Sequence, residues 1–169
     1  MSQISSQTHA ISINPATGEQ IGHYAFESAA ALDAALTRAA FAFGKWKRKP
    51  LQDRSRLLTA LAGALRETSE AMATMITREM GKPIAQARGE IEKCAKLCEW
   101  YAEHGPAMLD AEATQVEGGK ARIEYRPLGP ILAVMPWNFP IWQVLRGAAP
   151  TLIAGHTYVL KHAPNVKGC

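Results

Sequence analysis

The sequence predicts an α/β protein in which a helical first part is followed by the start of a parallel sheet. Apolar residues recur at helical spacing through most of the first hundred positions. From Pro106 onward prolines become frequent, and the apolar runs are short and rich in Val, Ile and Tyr. Both patterns are typical of ordinary globular proteins, and 169 residues with 47% hydrophobic and 20% charged side chains fit about one domain.

The charge balance and the N-terminus exclude several classes of protein. A net charge of +4 is a weak argument for binding nucleic acid or membranes. The basic cluster Lys45–Lys49 is the exception, and a solvated turn with Trp46 in the core is favoured there over a nucleic-acid surface. Residues 1–10 are expected to be a flexible terminus without a secretory signal. Three cysteines suit the cytoplasm rather than a disulfide framework.

The helical part begins with a hairpin whose turn is Asn14–Gly18. Four helices are then predicted: one capped by Ser28, one from Leu51, one around Met72–Met80, and one from about Pro83 to His104 that ends at Gly105 and Pro106.

The second part supplies the sheet. Arg122–Arg126 alternates as a half-exposed strand does, whereas Ile131–Met135 is wholly apolar and is expected to be buried on both faces. A helix over Ile141–Ala154, with Pro150 predicting a kink, leads to a second buried strand at Tyr158–Leu160. Two parallel strands cannot make a stable sheet alone. Either the helical half therefore supplies the missing layers, or the sequence is the front portion of a larger protein.

Two cysteines, Cys94 and Cys98, share one face of the fourth helix and could begin a metal site with His104. No fourth ligand suggests itself, so buried core thiols are the favoured interpretation and no metal is expected. The usual glycine-rich phosphate loops and zinc motifs are absent from the sequence.

Chemistry is indicated where the first buried strand ends, at Pro136–Pro140. Ligands of parallel sheets bind outside the carboxyl ends of the strands. The NH2 group of Asn138, held between two prolines, could donate to an oxygen that becomes negative during a reaction. The alternative is a turn in which Asn138 only satisfies backbone groups.

Five segments together resemble the NAD(P)-dependent aldehyde dehydrogenase superfamily, in order and approximate spacing, over nearly the whole chain after Ile11. They are Asn14–Glu19, Glu79–Pro83, Tyr125–Gly129, Pro136–Pro140 and the pair Leu160 and Lys161. The resemblance is greatest to the bacterial succinate semialdehyde dehydrogenase branch. It implies a Rossmann-like sheet, of which this chain holds the start.

The resemblance also implies roles for individual residues. Asn138 would be the side-chain half of an oxyanion hole, and Pro136 and Trp137 would line the cofactor cleft. Lys161 would reach the ribose hydroxyls of NAD or NADP. Pro164 stands where many NAD-using members carry Glu, so nothing excludes a 2′-phosphate and the choice of cofactor stays open. Arg146 would hold the distal carboxylate of an acid semialdehyde, although a salt bridge to the helical half is the alternative.

The family's catalytic Cys and general-base Glu have no counterpart here, and no cysteine of this chain matches the nucleophile's motif. Residues 11–169 are therefore expected to be the N-terminal portion of the NAD(P)-binding domain, inactive alone, with an oligomerisation strand near residues 115–127. The parent would be a homo-oligomer, dimer or tetramer, acting on a small aldehyde. Alternatives are a broad-specificity aldehyde dehydrogenase or a non-catalytic binding or assembly module.

Overall fold

A computed structural model describes residues 8–169. It opens with an antiparallel hairpin of β1 (His9–Ile13) and β2 (Gln20–Ala25). The turn forms because Asn14 Oδ1 accepts the Ala16 N–H at 3.0 Å and Gly18 takes a φ of 74°, a conformation that favours glycine. The predicted hairpin is confirmed. Of the predicted flexible terminus, residues 1–7 lie outside the described part of the chain, and the prediction is wrong for His9 and Ala10, which pair with β2 as part of β1.

Four helices follow, as predicted: α1 (Ala29–Trp46), α2 (Leu51–Glu67), α3 (Ser69–Met80) and α4 (Ile84–Met108). Ser28 caps α1 by accepting the Ala31 N–H at 3.1 Å. The basic cluster forms the end of α1 and the connection after it, and the Trp46 indole donates to the Leu152 carbonyl at 3.0 Å. The predicted turn is confirmed, but Trp46 is only partly buried and does not belong to the core.

The long helix α4 is the centre of the core, since α2, α3 and α5 all pack against it. Five of its apolar side chains are shielded completely from solvent. They are Ala87, Ile91, Cys94, Ala95 and Cys98.

The prediction that α4 ends at Gly105 and Pro106 is wrong, because the helix continues to Met108 with Pro106 inside it. Tertiary packing is the reason. Gly105 is buried against Ile153, and a Cβ there would lie 2.8 Å from Ile153 Cγ1. This close approach of α4 to α5 stabilises the last turn despite the missing proline N–H.

A second hairpin, β3 (Glu112–Val116) and β4 (Gly119–Ile123), lies where one strand at Arg122–Arg126 was predicted. The strand ends at Ile123, and its partner β3 was not predicted. Gly118, with a φ of 74°, makes the tight turn that sets the register. Every residue of β3 is exposed, so its side chains gave no burial pattern to recognise.

The last unit is β5 (Pro130–Val134), α5 (Pro140–Ile153) and β6 (Thr157–Lys161), with β5 and β6 parallel and Ile131 opposite Tyr158. This confirms the predicted strand, helix, strand unit. The predicted burial is wrong for both strands, since β5 is not covered on both faces and no residue of β6 is buried. Ala133 is buried, but Leu132 and Val134 are 64% and 66% exposed, because the described elements leave their face uncovered.

Within residues 8–169, no helix has both the length and the apolar character that crossing a membrane requires.

Candidate functional site

The carboxyl ends of β5 and β6 meet at one edge of the sheet. Val134 pairs with Lys161, and the next residue, Met135, donates its N–H to the Lys161 carbonyl at 3.0 Å. The loop Pro136–Phe139 and the segment His162–Cys169 therefore leave the sheet side by side. This edge is where ligands of parallel sheets bind.

Asn138 is exposed on the loop between β5 and α5. Its Oδ1 faces Gln143, whose Nε2 lies 3.5 Å away. The NH2 group of the same amide is turned the other way and can donate to a ligand. Phe139 is the N-cap of α5 and Pro140 its first residue, so the loop passes directly into a helix N-terminus.

The side chains expected to contact the cofactor are gathered at the same edge. Pro136 and Trp137 are exposed on the Asn138 loop, and Lys161 is exposed at the end of the neighbouring strand. Pro164 is exposed three residues further on. This edge thus exposes an aromatic ring, an ammonium and an amide to solvent. Such groups can contact the rings of a dinucleotide and hydrogen-bond to its sugar hydroxyls.

Arg146 is exposed on α5. The helix buries Leu145 and Ala149 and turns position 146 outward. No ion pair involving Arg146 occurs within residues 8–169. Arg146 follows Gln143 by three residues, so the two side chains are neighbours on the surface of α5, the helix that follows Asn138.

A buried ion pair that the sequence analysis did not identify lies beneath the Asn138 loop. Lys82 pairs with Glu90, and their side chains are only 6% and 1% exposed. The Lys82 ammonium also donates to the Asn138 carbonyl at 3.1 Å and lies 3.8 Å from the centre of the Phe139 ring. Glu90 Oε1 accepts the N–H groups of Ile141 and Trp142, both at 2.9 Å.

A second buried carboxylate, Glu79, fixes the segment after β6. It accepts the Ser12 hydroxyl at 2.6 Å and the N–H groups of Gly168 and Cys169 at 2.9 Å. The described donors to Glu79 are thus neutral, in contrast to the Lys82 ammonium at Glu90. One carboxylate connects the N-terminal hairpin to the end of the described chain.

The sequence does carry a signal for both carboxylates. Glu90 falls three residues after Ala87 and four before Cys94, within the apolar face of α4, and Glu79 falls three residues after the buried Ile76. A charged residue at a core-facing position is seldom buried unless it is paired. An acidic residue inside an apolar stripe therefore indicates a buried polar contact.

The cysteines are unsuited to attack an aldehyde. Cys94 and Cys98 are free and fully buried, and burial raises the pKa of Cys94 to about 12 and that of Cys98 to about 11. Burial, and then the hydrogen bond with Glu79, also raises the pKa of Cys169. A thiol is nucleophilic only as the thiolate. No group of three metal-binding side chains forms around them in the described residues.

A sequence profile of the aldehyde dehydrogenase family matches residues 3–169. The chain is 60% identical over 166 residues to succinate semialdehyde dehydrogenase [NAD(P)+] Sad of Escherichia coli, covering 98% of this chain and 36% of that protein. It is 44% identical over 160 residues to succinate-semialdehyde dehydrogenase [NADP(+)] 1 of Mycobacterium bovis, covering 93% of this chain and 35% of that one.

Among solved structures, succinic semialdehyde dehydrogenase from Streptococcus pyogenes in complex with NADP+ superposes with a TM-score of 0.89 at 33% identity. The superposition covers 93% of this chain and 35% of that one. The chain thus spans about a third of the length of the relatives it matches. Since the family profile accounts for nearly every residue, and the fold agrees with it, this chain belongs to the aldehyde dehydrogenase family.

Proposed function

We propose that this chain supplies the oxyanion contact and part of the cofactor cleft of an NAD(P)-dependent aldehyde dehydrogenase that oxidises succinate semialdehyde to the carboxylic acid. The identity of 60% to the Escherichia coli enzyme over 98% of the chain supports the substrate. The observation that carries the proposal is the amide of Asn138, solvent-exposed at the strand edge on a loop whose backbone is held from below. The remaining two thirds of the relatives' length would complete the enzyme.

Asn138 acts on the substrate's carbonyl oxygen. When a nucleophile adds to the aldehyde, that oxygen becomes negative, and a donor already in place stabilises it without reorganisation. The side chain does not move a proton in this role, because an amide NH2 donates hydrogen bonds without ionising. The nucleophile belongs to the part of the enzyme outside this chain, since the thiols of Cys94 and Cys98 are buried and protonated.

Residues of the sheet edge bind and orient the cofactor, which accepts a hydride when bound. Lys161 donates to ribose hydroxyls, and Pro136 and Trp137 form the wall of the cleft. Pro164 leaves room for a 2′-phosphate where a carboxylate would repel it, so the cleft admits NADP as well as NAD. The names of the two curated relatives, one NAD(P)+ and one NADP(+), support this. Pro164→Glu should lower the kcat/KM ratio of NADP to NAD.

Arg146 selects the substrate. Its guanidinium is exposed on the α5 surface that also carries Gln143, the partner of Asn138. A guanidinium grips a carboxylate through two parallel hydrogen bonds, which fixes the distance from the distal carboxylate to the aldehyde carbon.

The experiment joins this chain to the remaining two thirds of the Escherichia coli relative and assays the resulting chimera with succinate semialdehyde and with butanal. Asn138→Ala should lower kcat by about 10²–10³-fold on both substrates. Arg146→Leu should raise KM for succinate semialdehyde by about one to two orders of magnitude, the loss of a charged hydrogen-bonded pair. It should leave butanal nearly unchanged.

Equal losses on both substrates in Arg146→Leu would show that the residue supports structure and would favour a broad-specificity aldehyde dehydrogenase. The 169-residue chain alone should show no turnover. Turnover that survives changing Cys94, Cys98 and Cys169 to Ala would contradict the proposal.

We also propose a cytoplasmic homo-oligomer, dimer or tetramer. The β3–β4 hairpin is almost wholly exposed, and Val116 and Ile123 are each about half exposed on it. A two-stranded ribbon with free edges can pair with another copy. Analytical ultracentrifugation of the chimera tests this assembly, with Gln115→Pro as the variant that blocks edge pairing, because the Gln115 N–H points away from β4.

A further inference from the structure

We infer that the buried pair Lys82 and Glu90 positions the oxyanion donor, Asn138, in the aldehyde dehydrogenase reaction. This inference rests on the function proposed above. Neither residue reaches the substrate, because both side chains are less than a tenth exposed beneath the loop. They act on Asn138 through its backbone and through the helix that follows it.

Glu90 fixes the start of α5. Phe139 is the N-cap, so Ile141 and Trp142 occupy the second and third helical positions, whose N–H groups have no partner within the helix. Glu90 Oε1 accepts both at 2.9 Å. A cap normally comes from the residue before the helix, whereas here it comes from α4, 51 residues earlier in the chain. The N-terminus of α5 is therefore tied to the centre of the core.

Lys82 fixes the loop itself. Its ammonium has three protons, and the structure places Glu90, the Asn138 carbonyl and the face of the Phe139 ring around it. Holding the Asn138 carbonyl at 3.1 Å sets the orientation of the peptide group that adjoins the Asn138 Cα. Catalytic groups work together only when each is held to within about 0.5 Å of the productive geometry.

A purely structural role makes a different prediction from a positioning role. Removing Lys82 alone leaves Glu90 buried without its cation, which lowers stability whatever happens at Asn138. Removing both charges, in the double variant Lys82→Met with Glu90→Gln, relieves that penalty. The glutamine introduced in this variant keeps a side-chain oxygen for the N–H groups of α5, but nothing replaces the bond to the Asn138 carbonyl.

The activity experiment uses the chimera described above. Lys82→Met should lower kcat for succinate semialdehyde by about 10- to 100-fold, the cost of a displaced catalytic group, while KM stays close to that of wild type. The double variant should recover most of the lost melting temperature but not the lost kcat. Lys82→Arg should restore part of kcat, since a guanidinium can reach the same carbonyl.

The control is Arg88→Met, which breaks the exposed pair between Arg88 on α4 and Glu70 on α3 and should leave kcat unchanged. If kcat recovers together with stability in the double variant, or if Lys82→Met loses no more kcat than Arg88→Met, the inference is overturned. If the positioning inference is overturned in this way but Asn138→Ala still lowers kcat, the proposed function stands without the positioning role of Lys82 and Glu90.

A second measurement does not depend on activity. In the 169-residue chain, NMR should show slow hydrogen exchange at the Ile141 and Trp142 amides and a shift of the Asn138 side-chain NH2 signals in Lys82→Met but not in Arg88→Met. Fast exchange at both amides in the wild-type chain, or unchanged Asn138 signals in Lys82→Met, would overturn the inference even if the chimera had no activity.

Discussion

The two segments that leave the sheet edge are held by buried carboxylates of different kinds. After β5, Glu90 forms an ion pair with the Lys82 ammonium and also accepts a backbone N–H group at the N-terminus of α5. After β6, Glu79 accepts only neutral donors among the described residues, including a hydroxyl and two backbone N–H groups.

The difference matters because the two sites respond differently to damage. When one member of a buried ion pair is lost, its partner remains as an uncompensated charge in the core. When a carboxylate that accepts neutral groups is lost, the cost is the desolvation of those groups. The loop that carries Asn138 is thus more vulnerable to a single substitution than the segment after β6.

The largest expected effect is that of Glu90→Ala. It leaves the Lys82 ammonium unpaired and removes the acceptor of two α5 N–H groups, so the free energy of unfolding should fall by about 3–5 kcal/mol. Urea denaturation of the 169-residue chain measures this. Glu70→Ala, in the exposed pair with Arg88, is the matched control and should cost much less. Equal losses in the two variants would show that burial of the pair has no special consequence.

Glu79→Ala should have a smaller and more local effect. Three neutral donors lose their acceptor, which lowers the free energy of unfolding by about 1–3 kcal/mol. Hydrogen exchange should accelerate at Gly168 and Cys169 and stay slow at Ile141. Acceleration at Ile141 as well would mean that the two segments are held as one unit rather than separately.

Gly81→Ala tests the turn between Glu79 and Lys82, on which both sites depend. Gly81 has a φ of 74°, and an added Cβ would lie 3.2 Å from Pro15 Cγ. Alanine in this conformation costs about 1–2 kcal/mol. The control is Gly63→Ala inside α2, where the added Cβ meets nothing within 4 Å; it should stabilise the chain by about 0.5–1 kcal/mol. If the urea midpoints of Gly81→Ala and Gly63→Ala shifted in the same direction, the positive φ of Gly81 would not explain its effect.

The smallest effect is a change in thiol reactivity that reports on the β6 side alone. The hydrogen bond with Glu79 contributes to the raised pKa of Cys169, so Glu79→Gln should lower that pKa and increase the thiolate fraction at any given pH. The rate of Cys169 alkylation by iodoacetamide should then begin to rise at lower pH than in wild type.

Cys94 provides the internal control for that measurement. Its pKa is raised first by burial and then by the charge of Glu90, not by Glu79. Its alkylation rate should be unaffected in Glu79→Gln. A parallel change at Cys94 would point to general loosening of the fold.

The sequence was sufficient to predict the elements whose own residues determine them. The α1 cap at Ser28, the stripes of α2 to α4 and the apolar run of β5 are local patterns, and each led to the observed element. The position of Asn138 also followed from the order of the elements along the chain. In a parallel strand, helix, strand unit the carboxyl ends of both strands lie at the same edge of the sheet, and Asn138 follows the first of them.

What the sequence did not predict depends on contacts between distant residues. The last turn of α4 forms through Gly105 against Ile153, and β3 is recognisable only once β4 pairs with it. Lys82 and Asn138 are 56 residues apart, so no local pattern links them. The exposure of Leu132 was mispredicted because an apolar run does not reveal which neighbours cover it.

The Glu79 site has a consequence for the order in which the chain folds. Its donors come from Ser12, 67 residues earlier, and from Gly168, 89 residues later. Contacts that close such long loops form late, after local helices have already appeared. During synthesis, the Ser12 hydroxyl cannot reach its final hydrogen-bonded state until Glu79 has emerged from the ribosome. The Glu79 carboxylate obtains its full set of donors only after Gly168 and Cys169 have followed. The contact between Ser12 and Glu79 should therefore show a φ-value near zero in Ser12→Ala, so that this change speeds unfolding and leaves the folding rate nearly unaltered.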